Sequence, residues 1–132
     1  MVRVLIVEDE VLLAMDLEDI VMGAGHEVVG IAHDKHGVSQ LGGRPQVALV
    51  DLNLRDGPTG QEIARKLTSE GGTRVVFVTA NPNQIANPPS GAIGYVQKPF
   101  SPEVIMAAID YAGSNGVTEV PAGLHLFSEQ LH

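Results

Sequence analysis

The chain has 132 residues, 44% hydrophobic and 18% charged, with 16 acidic against 8 basic side chains and a net charge of −8. That length suits a single domain with a real core, and that charge argues against non-specific binding to nucleic acid or to an anionic membrane. The absence of cysteine excludes a disulfide framework, a thiolate metal site and a thiol nucleophile.

Arg3 to Val7 (RVLIV) is continuous, apolar and rich in branched residues, which predicts a strand. It runs straight into three carboxylates, Glu8, Asp9 and Glu10. Leu13, Leu17, Ile20, Val21 and Ala24 then recur at helical spacing, while Asp16, Glu18 and Asp19 fall largely elsewhere. This predicts an amphipathic helix of roughly four turns, ended by Gly23 and Gly25. Glu27 to Ala32 (EVVGIA) is a second short strand. Asp34 is placed to cap a short helix through Leu41, which Gly42 and Gly43 terminate. Gln46 to Val50 is the third strand, and its VALV run reads as buried on both faces. A carboxylate, Asp51, stands at its C-terminal end.

After the RDGPTG loop, Gln61 to Ser69 reads as a helix with Ile63, Ala64 and Leu67 facing inward, stopped by Gly71 and Gly72. Arg74 to Thr79 (RVVFVT) is the fourth strand. Asn81 to Gly91 (NPNQIANPPSG) contains three prolines and a glycine, so a regular helix there should be short, frayed or absent. Ala92 to Val96 (AIGYV) is the fifth strand. Ser101 as cap and Pro102 at the first helical position start the last helix, through about Ala112. Residues 113–132 are Gly-rich and non-periodic, which predicts a flexible tail in which Leu124, Leu126 and Phe127 are the residues able to dock. The longest apolar runs are too short to span a bilayer. The acidic start has no signal-peptide layout, so a cytoplasmic protein is expected.

Strand and helix alternate five times, which predicts an α/β, doubly wound parallel sheet with helices on both faces. In such a sheet all C-terminal strand ends lie on one edge, where ligands bind. Glu8 and Asp9 end the first strand, Asp51 the third and Thr79 the fourth; Gln97, Lys98 and Pro99 follow the fifth. Clustered carboxylates repel, and a hard divalent cation such as Mg²⁺ relieves that repulsion with oxygen ligands. Glu8, Asp9 and Asp51 offer side-chain oxygens, and the Asn53 carbonyl offers another where the chain leaves its strand. Lys98, the only Lys or Arg between Val75 and the C-terminus, brings counter-charge, and Thr79 brings a hydroxyl. A carboxylate nucleophile, a Mg²⁺, a lysine and a hydroxyl are the parts needed to accept a phosphoryl group.

The segments LIVEDE (5–10), VALVDLNL (47–54), VVFVTAN (75–81) and GYVQKPF (94–100) arrive in the order found in the receiver domain of bacterial response regulators, which the chain resembles over residues 2–112. The resemblance implies a receiver domain at 1–112 with the flavodoxin-like strand order 2-1-3-4-5. It implies Asp51 as phosphoacceptor from a phosphohistidine on a sensor histidine kinase, with Glu8, Asp9, Asp51 and the Asn53 carbonyl at Mg²⁺. It implies Thr79 and Lys98 as phosphoryl-binding residues, and Thr79 with Tyr95 as a switch pair. Three departures stand out. Glu8-Asp9 replaces the usual Asp-Asp, Leu54 and Arg55 stand where a proline is usual, and the proline-rich 81–91 segment replaces most of the family's fourth helix. The DLNLRDGPTG and VFVTAN wording resembles stand-alone receivers that work with alphaproteobacterial sensor kinases of the HWE type.

Taken singly, these residues have plainer readings. Asp51 alone is a strand-end cap, Thr79 a β-former, Lys98 a surface residue and Tyr95 a core residue; only the joint pattern assigns them chemistry. Glu10 reads as a negative residue at a helix N-terminus, and His33 with His36 as a solvated loop pair. Two other functions compete. An aspartyl-nucleophile phosphatase or phosphotransferase usually has a second acid two residues after the nucleophile, where this chain has Asn53. A phosphorylation-independent adaptor with a vestigial pocket would not need the intact acidic, Thr and Lys positions.

Overall fold

The computed structural model describes residues 1–42 and 44–127. The elements run β1 (Arg3–Val7), α1 (Val11–Gly23), β2 (Glu27–Ala32), α2 (Lys35–Gln40), β3 (Val47–Val50), α3 (Gly60–Gly71), β4 (Arg74–Thr79), a 3₁₀ turn (Pro82–Gln84), β5 (Ala92–Gln97), α4 (Pro102–Gly113) and β6 (Leu124–Leu126). The sheet order is β2-β1-β3-β4-β5-β6, with the first five strands parallel and β6 antiparallel to β5. This is the expected doubly wound α/β fold with its 2-1-3-4-5 order. The expected strand count is corrected from five to six, because the segment 124–126 read as part of a flexible tail adds a strand.

The central strand explains the layering. All four residues of β3 are buried, and they alternate between two cores. Val47 and Leu49 lie with Ala14, Leu17 and Val21 of α1 and Ile105, Ala108 and Ile109 of α4. Ala48 and Val50 lie with Ile63 and Ala64 of α3. Period-2 alternation along a strand with helices on both sides makes every position apolar. Parallel pairing then brings Val7 opposite Val50, and Val50 opposite Phe77, so the strand ends finish in line.

Helix boundaries follow local chemistry. The Asp34 side chain accepts from the Gly37 amide at α2, and the Ser101 hydroxyl from the Val104 amide at α4, where Pro102 opens the helix. Gly72 ends α3 with a left-handed backbone at φ +66°. The proline-rich stretch forms only the three-residue 3₁₀ turn. Ile85 of that stretch and Phe127 of the tail, rather than a regular helix, pack against the core over Phe77 on this side of the sheet.

Leu49 is 1% exposed and Leu12 is 77% exposed. Leu49→Ala should cost on the order of 2–5 kcal/mol. Leu12→Ala should stay within about 0.5 kcal/mol. Urea unfolding of the two variants checks the assignment of core and surface.

Candidate functional site

The parallel ends of β1, β3, β4 and β5 bring the chemically interesting side chains together at one edge. The Lys98 ammonium donates to Glu8 Oε1 and to Asp51 Oδ2, each at 2.9 Å. Glu8 is 1% exposed and Asp51 8% exposed. Oxygens of Glu8, Asp9 and Asp51 lie within 4.8 Å of one another. The backbone sets this up strand by strand. The Asp51 amide donates to the Val7 carbonyl (2.9 Å), the Glu8 amide to Ala32 (2.9 Å), and the Lys98 amide to Thr79 (2.9 Å). The Lys98–Pro99 peptide is cis.

Electrostatics at this edge are set by burial. Removal from water pushes the Glu8 carboxyl above its ordinary value of 4.5, against the opposing pull of Lys98 and of the Glu10 amide (3.1 Å), and the nearby Asp51 charge raises it further. Burial by itself would lower the Lys98 ammonium. Its hydrogen bonds to Glu8 and Asp51 and their charges outweigh that, and hold it above 10.5. One cation is thus shared by two carboxylates, with Asp9 beside them.

This donor set fits a hard divalent cation. It is all oxygen, acidic and partly open, since Asp9 is only half-buried. One ammonium set against three carboxylates leaves negative charge in excess. The Asn53 carbonyl, in the loop directly after β3, takes part in no hydrogen bond among the described residues. The Asn53 side-chain amide donates instead to Gln84 Oε1 at 2.9 Å, tying the loop after β3 to the 3₁₀ turn.

Thr79 is fully buried, and its hydroxyl oxygen accepts from the Asn81 amide at 2.9 Å. Tyr95 is not part of the acidic cluster. It pairs with Phe77 across β4–β5, while Gln97 pairs with Thr79. Its ring is half-buried and stacks on His125 of β6, centroids 4.8 Å apart. Glu10 is the residue before α1 and makes no side-chain cap bond.

Two contributors are not legible as site residues in the sequence. His33 belongs to no solvated pair: its Nδ1 donates to the Glu8 carbonyl at 2.8 Å, and its own carbonyl accepts from the Arg55 amide at 3.1 Å. It therefore braces both acidic loops. Gly60, at the start of α3, packs so closely that a Cβ would collide with the Asp51 carbonyl. A histidine two positions before a helix and a glycine after a threonine carry no such signal in sequence. The loop between them is a tight unit, with Leu54 and Gly57 exchanging backbone hydrogen bonds (2.8 and 3.0 Å) and Thr59 donating to Asp56 Oδ1 (2.6 Å). Leu54 is 6% exposed, so it fills core space where the related pattern carries proline.

Lys98→Ala should leave two buried carboxylates facing each other. In metal-free buffer the loss should be on the order of 2–4 kcal/mol, toward the low side of breaking a buried pair because the lysine side chain keeps 17% exposure. Adding Asp51→Asn should recover part of that loss by removing one of the two charges. Urea denaturation of the single and double variants measures both.

The family described as response regulator receiver domain matches residues 4–110. The phyllosphere-induced regulator PhyR of Methylorubrum extorquens is 36% identical over 115 residues, which cover 83% of this chain and 43% of that protein. The transcriptional regulatory protein PdtaR of Mycobacterium tuberculosis is 32% identical, over 98% of this chain and 66% of its own length. The chain thus spans less than half of the first relative. Among solved structures, the receiver domain of Erythrobacter litoralis PhyR superposes with a TM-score of 0.75 at 28% identity, covering 92% of this chain and 96% of that one. A variant of the anti-anti-sigma factor PhyR from Bartonella quintana gives 0.72 at 31% identity, over 86% and 49%. With its acidic strand-end edge, its sheet order and these matches, the chain belongs to the response regulator receiver domain family of two-component signalling.

Proposed function

We propose that Asp51 is the phosphoacceptor of a signalling switch, taking its phosphoryl group from a phosphohistidine on a sensor histidine kinase. The observation that carries this reading is the Lys98 ammonium, 2.9 Å from both Asp51 and Glu8 at the C-terminal edge of the sheet. It is a cation already seated where a phosphoryl group on Asp51 would place its negative charge. Glu8, Asp9, Asp51 and the Asn53 carbonyl are the residues that would hold Mg²⁺. When bound, Mg²⁺ adds positive charge beside the phosphoryl oxygens.

In the reaction the Asp51 carboxylate attacks phosphorus. The bond from phosphorus to the donor imidazole breaks, and the ring nitrogen keeps the electron pair. Lys98 meets the charge that develops on the phosphoryl oxygens. Thr79 keeps its oxygen on the Asn81 amide and has its proton free to donate to the phosphoryl group. Asn53, whose amide is bound to Gln84, offers no second acid for rapid ester hydrolysis. The product is an aspartyl phosphate.

Phosphorylation replaces the single charge of the Asp51 carboxylate with a phosphoryl group carrying roughly 1.5–2 negative charges. Thr79 turns toward them, and Tyr95 moves inward along the same face of the sheet. That movement costs Tyr95 its stacking on His125, so the signal reaches the β5–β6 edge. The output is protein binding or competition for phosphoryl groups, in keeping with the charge of −8. The DLNLRDGPTG and VFVTAN segments support an HWE-type sensor kinase as the phosphoryl donor. Among the described residues, no helix is long and apolar enough to cross a membrane.

Acetyl phosphate with Mg²⁺ should label the wild-type chain and leave Asp51→Asn unlabelled, and chelation of Mg²⁺ should abolish the labelling. Equal labelling of both proteins contradicts the assignment. Turnover of small phosphate esters far above slow self-dephosphorylation would show a phosphatase instead.

A further inference from the structure

The β5 edge is closed by a very short segment. β6 pairs with β5 at Gly94–Leu126, Tyr95–His125 and Val96–Leu124, and the Phe127 amide adds a bond of 3.2 Å to the Ile93 carbonyl. Both sides of this joint are shaped for the incoming strand. Leu124 is 5% exposed and lies in the core with Ile93, Val96 and Ile105. On the opposite face His125 stacks on Tyr95, and Phe127 meets Phe77 edge-on with centroids 6.3 Å apart. At Gly94 a Cβ would collide with the His125 carbonyl, so the acceptor strand carries glycine where the incoming backbone comes closest. Without an occupant, β5 would present a row of unpaired backbone groups flanked by apolar surface, a template for another strand.

The connection to this segment is tied at its two ends, by the amides of Asn115, Gly116 and Val117 and by the Leu124 amide on the Pro121 carbonyl, and is exposed between them. Residues 114–123 (SNGVTEVPAG) follow α4 and turn the chain back. Asn115 (φ +57°), Gly116 (+79°) and Gly123 (+92°) all take left-handed backbone to do so, and Asn115 does it with a side chain. Val117 is 84% exposed and Val120 49% exposed. An extended connection of this length reaches up to roughly 35 Å, enough to leave its own sheet edge. Straightening it releases Asn115 from its left-handed backbone.

We propose that the β5 edge is a strand-acceptor site, and that its occupant in trans is β6 of a second copy of this chain. The exchange is reciprocal and gives a two-fold dimer. Every contact of Leu124, His125 and Phe127 is the same in the closed monomer and in the exchanged pair, so only the connection and the concentration decide between them. A second copy fits this edge because its Leu-His-Leu-Phe segment is already the sequence seated there. Reciprocity also leaves neither β5 edge unpaired. The proposal stands on β6 and its connection, and does not depend on phosphoryl transfer at Asp51.

The absence of cysteine allows a direct test. Tyr95 and His125 face each other in the antiparallel pair, a spacing that a disulfide can bridge. The Tyr95→Cys/His125→Cys double variant should close under mild oxidation, within one chain in dilute solution and between two chains in a share that rises with concentration. An equal mixture of Tyr95→Cys and His125→Cys chains should form a covalent two-chain product. Its yield should rise with protein concentration and exceed, on the order of tenfold, that from a mixture of Leu12→Cys and His125→Cys chains, which meet only by collision. Mixed-chain product no greater than that collision control, while the double variant closes in cis, overturns the proposal. So does failure of the double variant to close, because β6 would then not lie opposite Tyr95.

Discussion

One interaction organises this protein: a single ammonium shared by two carboxylates that are almost out of water. Lys98 reaches Glu8 and Asp51 at the same distance, 2.9 Å. Carboxylates this buried are costly to keep charged unless paired, and Asp9 adds a third acid beside them. The cluster therefore persists only because four strand ends and a cation meet at one point. Burial of Glu8 opposes its ionisation, and the lysine is held in its charged form by the acids it serves. Such a charge balance suits a cation, and receiver domains bind Mg²⁺ at an acidic pocket of this kind.

The scaffold serves that point. β3 is buried along its whole length and delivers Asp51 at its end, while Val7 and Thr79 fix the neighbouring strand ends through backbone bonds. Gly60 lets α3 start directly against the Asp51 carbonyl. His33 and the tight turn around Gly57 hold the two acidic loops. On the far side of β4 and β5, a three-residue turn, Ile85 and Phe127 do the covering that a helix would otherwise do. The face that would report on Asp51 is thus assembled partly from the C-terminal segment, with Tyr95 held against His125.

Most of this architecture is legible in the order of the residues. The strands β1, β3 and β4 stand out as unbroken apolar runs, and each stops at the residue type that forms the site: Glu8, Asp51 and Thr79. Ser101 and Pro102 mark the start of α4, and Gly72 the end of α3, because caps and left-handed residues leave direct chemical signatures. The three prolines of the 81–91 segment account for the shortened turn. The features made by tertiary contact leave no such mark. β6 is too short to have a period, and its Leu-His-Leu pattern acquires meaning only against the β5 edge. His33 reads as half of a solvated pair, and only the closeness of the β1 and β2 ends turns it toward the Glu8 carbonyl. Gln84 shows its link to Asn53 only once the 3₁₀ turn is in place.

Beryllofluoride, which mimics the acyl phosphate, gives the most direct measurement of whether this edge is built to hold a phosphoryl group on Asp51. Fluorine NMR should show bound signals on the wild-type chain only when Mg²⁺ is also present, and none on Asp51→Asn under the same conditions. Bound signals of equal strength on both proteins, or none on the wild-type chain with Mg²⁺ in excess, would contradict the account.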